Sequence, residues 1–183
     1  MMDCPTSIEV VVALEATEEL VAAFARLIPQ LSSSAAPLTQ DALAEIIAAP
    51  SNTVLLARDR DNGGKIVGSL TLVMFRIPTA VRAWIEDVIV DSNVRGRGIG
   101  EALTREALRL ATERGARTID LTSRRSREAA HRLYEKAGFT VRDSSVYRYV
   151  PFVSDKAGNH AIDSDALRAP RSRGAARARH RGR

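Results

Sequence analysis

Three groups of residues have types and spacings suited to chemistry. They are a cluster of glycine and arginine, Arg95, Gly96, Arg97, Gly98, Ile99 and Gly100; two adjacent carboxylates, Glu86 and Asp87; and a tyrosine, Tyr134, on an apolar helical stripe. The glycines allow positive φ and leave no Cβ between the main-chain amides and a ligand. Apolar residues then recur at helical spacing, Ile99, Leu103, Ala107 and Leu110. The loop therefore opens a helix, whose unpaired N–H groups and positive dipole end suit a phosphate or pyrophosphate, with Arg95 and Arg97 adding charge at the rim.

Spacing excludes the two commonest phosphate loops. A Walker loop ends in Gly-Lys-Ser/Thr, whereas Gly100 is followed by Glu101 and Ala102. A dinucleotide fingerprint counted from Gly96 needs its third glycine where Glu101 stands. What remains is Arg-x-x-Gly-x-Gly behind a strand, or else a plain turn that needs flexible residues.

The elements that must position these groups follow from pattern. Strands are predicted over 8–14, 53–58, 65–75, 83–90, 118–122 and 146–150, with Asp61-Asn62-Gly63-Gly64 marking a hairpin between the second and third. Thr17 and Thr39 are predicted helix caps, the first followed by Glu18 and Glu19, which suit the dipole. The helix that starts at the glycine-rich loop should close near Gly115, and a last helix should be capped by Ser126 and ended by Gly138. This order predicts an α/β (α+β) mixed, largely antiparallel sheet flanked by helices, in a domain over 8–153 between an extension 1–7 and a tail 154–183.

Two motifs carry a family resemblance. Arg95 to Gly100 resembles the acetyl-CoA pyrophosphate loop of the GNAT superfamily of N-acetyltransferases. Leu-Tyr-Glu-Lys-Ala-Gly-Phe, residues 133–139, resembles the Tyr-x-x-x-Gly-Phe signature of that superfamily, one helix and one strand further on. The resemblance implies a GNAT fold and transfer of an acetyl group from acetyl-CoA to a primary amine, directly in a ternary complex and without a metal. It implies that the backbone of Val88, Ile89 and Val90 holds the pantetheine arm and polarises the thioester carbonyl. Arg95, Gly96, Arg97, Gly98, Ile99 and Gly100 would hold the diphosphate.

The same resemblance makes Tyr134 the acid that protonates the departing thiolate, against the reading of a core aromatic with a satisfied hydroxyl. Glu86, on the strand that bears the cofactor, is the first choice for the base that accepts the amine proton, directly or through water; the other reading is a paired or rim carboxylate. Ile85 and Val88 are apolar neighbours of the kind that raise a carboxyl pKa. Where many members carry asparagine, seven residues before the tyrosine, Arg127 stands here. It is read either as a ligand for a CoA phosphate or as a solvated helix residue.

Composition bounds the rest. The chain of 183 residues suits one domain, and the whole formal charge of +5 sits in residues 154–183, which hold eight Lys/Arg against three Asp. The end of that tail, residues 168–183, lacks bulky apolar residues, and the tail is predicted to be disordered. It is read either as a solvated segment or as a phosphate-neutralising arm that associates with nucleic acid. With such an arm, a catalytically idle acyl-CoA-binding regulatory module is the alternative function. One cysteine, Cys4, and three scattered histidines give no disulfide or metal-ligand spacing. The absence of a signal-like N-terminus or a membrane-length apolar run predicts a cytoplasmic protein with no membrane partner, and the arginine and alanine bias suggests a bacterial source. Small-molecule and peptide amines both remain open as acceptors, and the family's habit of pairing makes a homodimer one assembly to expect.

Overall fold

The computed structural model describes residues 7–151. The expectations for the extension before Ser7, for Cys4 and for the basic tail lie outside the described residues. Two units are separated at Val141/Arg142. The first, up to Val141, contains every helix and strand; residues 142–151 carry no regular structure.

A five-stranded sheet forms the first unit, in the order β1 (Ile8–Val12), β2 (Asn52–Asp59), β3 (Lys65–Ile77), β4 (Ala80–Val90) and β5 (Thr118–Leu121). The pairs β1/β2, β2/β3 and β3/β4 are antiparallel and β4/β5 is parallel. Helices α1 (Glu18–Leu27) and α2 (Gln40–Ala48) pack on one face, and α3 (Ile99–Glu113) on the other. A fourth helix, α4 (Glu128–Lys136), follows β5.

Local chemistry sets the helix boundaries. Thr17 and Thr39 accept hydrogen bonds through Oγ1 from Leu20 N and Ala42 N, each at 3.2 Å, a contribution of about 1 kcal/mol per cap. Gly115 and Gly138, at φ +77° and +97°, terminate α3 and α4 as expected. The expected cap at Ser126 is corrected: the N-cap of α4 is Arg127, which makes no side-chain capping bond, and the helix begins one residue later than a Ser126 cap would place it.

The core has two layers, one on each face of the sheet. Leu55, Leu70, Leu72 and Ile85 pack with Ile99, Leu103 and Ala107 of α3. Val54, Leu56 and Ile89 pack with Leu20, Phe24, Leu27 and Leu43 of the N-terminal helices. Alternation along the strands explains this division except at two bulges. One is on β4, where Thr71 pairs Glu86 and Ser69 pairs Ile89, so Asp87 and Val88 together oppose Leu70. Asp87 takes φ +50°, the one non-glycine residue with positive φ among those described. The extra residue reverses the strand's parity, so Val88 and Val90 join the α3 side with Ala83 and Ile85, while Ile89 takes the other.

A strand over 146–150 is not formed. Val146, Tyr147 and Tyr149 are at least 69% exposed, and the run pairs with no other strand. Its β-branched and aromatic residues give it strand propensity, but propensity without a ladder partner and a buried face does not hold a strand.

Candidate active site

The glycine-rich loop leaves the end of β4 and is tied down on both flanks. At Asp91 the main-chain N–H donates to Val67 O at 2.9 Å. The buried Asp91 carboxylate pairs with Arg26 of α1 and accepts from Asn93 N at 3.1 Å. Arg26 also donates to Ile66 O at 2.6 Å, and Gln30 Oε1 accepts from Ser92 N at 2.8 Å. Further along, Arg97 donates to both oxygens of Asp59 at 2.6 and 3.3 Å and to Ser7 Oγ at 3.2 Å. These hydrogen bonds from Arg97 hold the Asp59 carboxyl below its ordinary value.

Between the anchors the backbone bends through Gly96 at φ +81° and Gly98 at φ +75°, and Gly98 is the N-cap of α3. The amides of residues 95–101 make no turn or loop hydrogen bond to another main-chain carbonyl among the described residues. Those of residues 98–101 are the free donors of a helix start, with the dipole behind them. Gly100 sits where a Cβ would lie 2.9 Å from Leu133 Cδ1, so its lack of a side chain lets α4 approach α3.

A cleft of about 890 Å³ opens at this point. Val88, Ile89 and Val90 line it from β4, Arg95, Gly96, Gly98, Ile99 and Gly100 from the loop and α3, and Ser126, Arg127, Leu133 and Tyr134 from α4 and its approach. Gln30 and Leu31, beyond α1, complete one wall. The expected site residues thus meet in one cleft, apart from Arg97 and Glu86. The Arg97 guanidinium is engaged with Asp59, and Arg97 is not part of the lining.

Glu86 also lies outside the lining and is exposed, so the apolar enclosure suggested by its neighbours is absent. Its place is on the other face of β4, in step with Trp84 and with Arg82, which pairs with Asp120 of β5 at 2.5 Å. On that face the buried Trp84 Nε1 has no hydrogen-bond partner among the described residues.

The charges of the cleft are unevenly matched. Glu101 is held below the ordinary carboxylate range by hydrogen bonds from Lys136, at 2.7 Å, and Arg105. Arg132 pairs with Glu128 at 3.7 Å. Among the described residues Arg95 and Arg127 reach only carbonyls, Val90 O and Leu31 O, each at 3.4 Å. Tyr134 stacks edge-to-face on Phe139, with ring centroids 5.8 Å apart. Burial pushes its phenol pKa up, and the positive charge of Arg127 opposes that rise. A loop of free amides between glycines, with the Arg95 guanidinium beside it, fits a diphosphate ligand.

Sequence reasoning missed Arg26, Gln30, Asp59 and Asp91. Their partners lie between 38 and 65 residues away in the chain, and no local pattern announces such pairs. Among the described residues no group of three or more His, Cys, Asp or Glu side chains could hold a metal ion, and no helix is long and apolar enough to cross a membrane.

Comparison with known proteins agrees with this geometry. The chain is 35% identical over 80 residues to mycothiol acetyltransferase of Beutenbergia cavernae, a match covering 44% of this chain and 26% of that enzyme; it thus spans about a quarter of that relative's length. A solved structure from Agrobacterium tumefaciens str. C58 superposes with TM-score 0.68 at 25% identity, over 78% of this chain and 99% of that one. An aminoglycoside acetyltransferase from an uncultured soil metagenomic sample superposes with TM-score 0.70, over 82% of this chain and 100% of that one; at 18% identity this likeness carries the fold alone. The model of the acetyltransferase (GNAT) family matches residues 14–139. With its mixed five-stranded sheet and its glycine-rich start of α3, the chain belongs to the GNAT family of acetyltransferases.

Proposed function

We propose that this acetyltransferase moves the acetyl group of acetyl-CoA onto a primary amine by direct transfer in a ternary complex. The observation that carries the reading is the convergence, on one cleft, of the glycine-rich start of α3, the end of β4 and the hydroxyl-bearing face of α4. The mycothiol acetyltransferase named above supports acetyl transfer by a similar chain.

When bound, acetyl-CoA supplies an activated acyl group and a stable thiolate leaving group. The free amides of Gly96, Gly98, Ile99 and Gly100, with the Arg95 guanidinium, bind the diphosphate through the helix dipole and charge-assisted hydrogen bonds. Val88, Ile89 and Val90, beyond the Asp87 bulge, present backbone groups to the pantetheine arm, and an amide there favours charge on the acyl oxygen. Tyr134 holds a proton for the leaving sulfur. A phenol is neutral at neutral pH, as a proton donor requires, and burial pushes the Tyr134 pKa further up.

Glu86 takes the proton of the incoming ammonium group from the other face of β4, through solvent, since it stands outside the cleft itself. Direct attack needs no covalent enzyme intermediate, and no cysteine stands among the residues that line the cleft. The test is CoA release by the purified full chain against a library of amines, with products identified by mass spectrometry. Acetylated amine and free CoA in equal amounts are expected; hydrolysis alone, or no release with any amine, would sink the reading. The unassigned features, homodimer formation and nucleic-acid association through residues 154–183, are separate proposals that gel filtration and a truncation after Val153 would address.

A further inference from the structure

The two cleft arginines without a carboxylate partner among the described residues occupy different stations. Arg95 follows β4 beside the free amides, whereas Arg127 stands at the N-cap of α4, seven residues ahead of Tyr134. Arg127 and Tyr134 both line the cleft, the first from the residue that precedes α4 and the second from within it. Helical side chains lean toward the N-terminus, which carries the Tyr134 hydroxyl toward Arg127 rather than away from it.

The other charges around the phenol are neutralised or sit at the loop. From α3 comes Glu101, held by Lys136 and Arg105. From α4 come Glu128 and Arg132, paired with each other. The loop contributes Arg95, and β4 contributes only Val88, Ile89 and Val90. Arg127 itself makes one long hydrogen bond, to Leu31 O, and no capping bond, so its guanidinium is not held by structure alone.

We propose that Arg127 is a positioning residue for acetyl transfer, its positive charge acting through the Tyr134 hydroxyl to ease delivery of that proton to the departing thiolate. The inference rests on the acetyl-transfer reading given above. In the step, the amine nitrogen forms the new C–N bond as the C–S bond breaks, and the C–S electron pair passes to sulfur. Tyr134 gives its proton to that sulfur. The phenolate left behind is held by Arg127 until it takes up the proton that the amine sheds, so charge and protons balance.

Two measurements test it. In the ligand-free protein, ionisation of Tyr134 is followed by tyrosinate absorbance on raising the pH, with Tyr134→Phe as the background for the remaining tyrosines. Arg127→Gln is expected to move that ionisation to higher pH, and Arg127→Lys to restore most of the wild-type position. In turnover, Arg127→Gln should lower kcat roughly 5-fold, the scale of one charge acting through partly solvated protein, with the KM for acetyl-CoA unchanged. The loss should vanish when Tyr134 is already Phe. An unmoved Tyr134 ionisation, or an equal kcat loss with and without the Tyr134 hydroxyl, would overturn the proposal. A wild type that releases no CoA with any amine overturns the acetyl-transfer reading and the catalytic half of this one; the absorbance titration decides the coupling between Arg127 and Tyr134 in either case.

Discussion

Asp59 at the end of β2 accepts hydrogen bonds from both terminal nitrogens of Arg97, 38 residues later in the chain, and so ties the glycine-rich loop to the sheet. The pair is one-sidedly buried: the Asp59 side chain is 3% exposed and that of Arg97 38%. Loop position and acid stability are therefore linked. The Asp59 carboxyl is held below its ordinary value of 3.8, so its contribution is complete above that value and is lost as pH falls through the lower one of the folded protein. Thermal melts between neutral pH and pH 2 should show Asp59→Asn with a lower melting temperature at neutral pH and a shallower decline in acid than the wild type. Parallel curves would remove Asp59 from the acid limb.

Gly68 on β3 has no room for a side chain. A Cβ there would lie 2.9 Å from the main-chain oxygen of Ile89, 3.1 Å from Ile99 Cγ2 and 3.2 Å from Leu103 Cδ1. The first contact is with backbone and cannot swing aside. Gly68→Ala is expected to destabilise the fold by about 1–3 kcal/mol, as overpacked cores do, and to displace the start of α3. Denaturant titration gives the first quantity and calorimetric CoA affinity the second; a variant as stable as wild type would show that β3 and α3 separate at little cost.

Tyr134→Phe keeps the ring that packs on Phe139 and removes the proton donor. We expect kcat to fall roughly 10-fold, below the usual range for general-acid catalysis because a thiolate leaves readily, with acetyl-CoA affinity unchanged. Burial places the phenol's ionisation above its ordinary 10.0, so the proton is lost only at strongly alkaline pH, and activity below that range should show no limb from this group. Equal turnover by wild type and variant at saturating substrate would assign Tyr134 to packing alone.

Glu86→Gln tests the other side of β4. Because Glu86 is exposed and outside the cleft, the variant should bind CoA as tightly as the wild type and lose kcat/KM for the amine. The informative readout is kcat/KM for the amine at neutral pH. If it is the same in both proteins, the amine proton leaves by another route.

Much of this was legible before any coordinates. The caps at Thr17 and Thr39 and the stops at Gly115 and Gly138 depend on one or two turns of chain, and pattern found them. The glycine-rich start of α3 announced itself for the same reason. Arg97 was placed with the diphosphate ligands because its charge and position suit that role, but its direction is set by Asp59, an acceptor on another strand. Arg26 and Asp91 are invisible in the same way, since a partner 65 residues distant leaves no periodicity. The strand expected over 146–150 shows the converse: its residue types satisfied every local rule, yet a strand exists only where a neighbour offers an edge. The Asp87 bulge was hidden because strict alternation is the assumption by which a strand is recognised at all.

That single left-handed residue divides β4 into two working halves. Ahead of it Trp84 and Glu86 belong to the face opposite α3, and behind it the same side passes to Ile89 while Val88 and Val90 swing round to α3. On the proposed reading, substitutions upstream would reshape the acceptor side and leave the donor side in place. Deleting one residue at that kink would invert the downstream half and abolish both at a stroke.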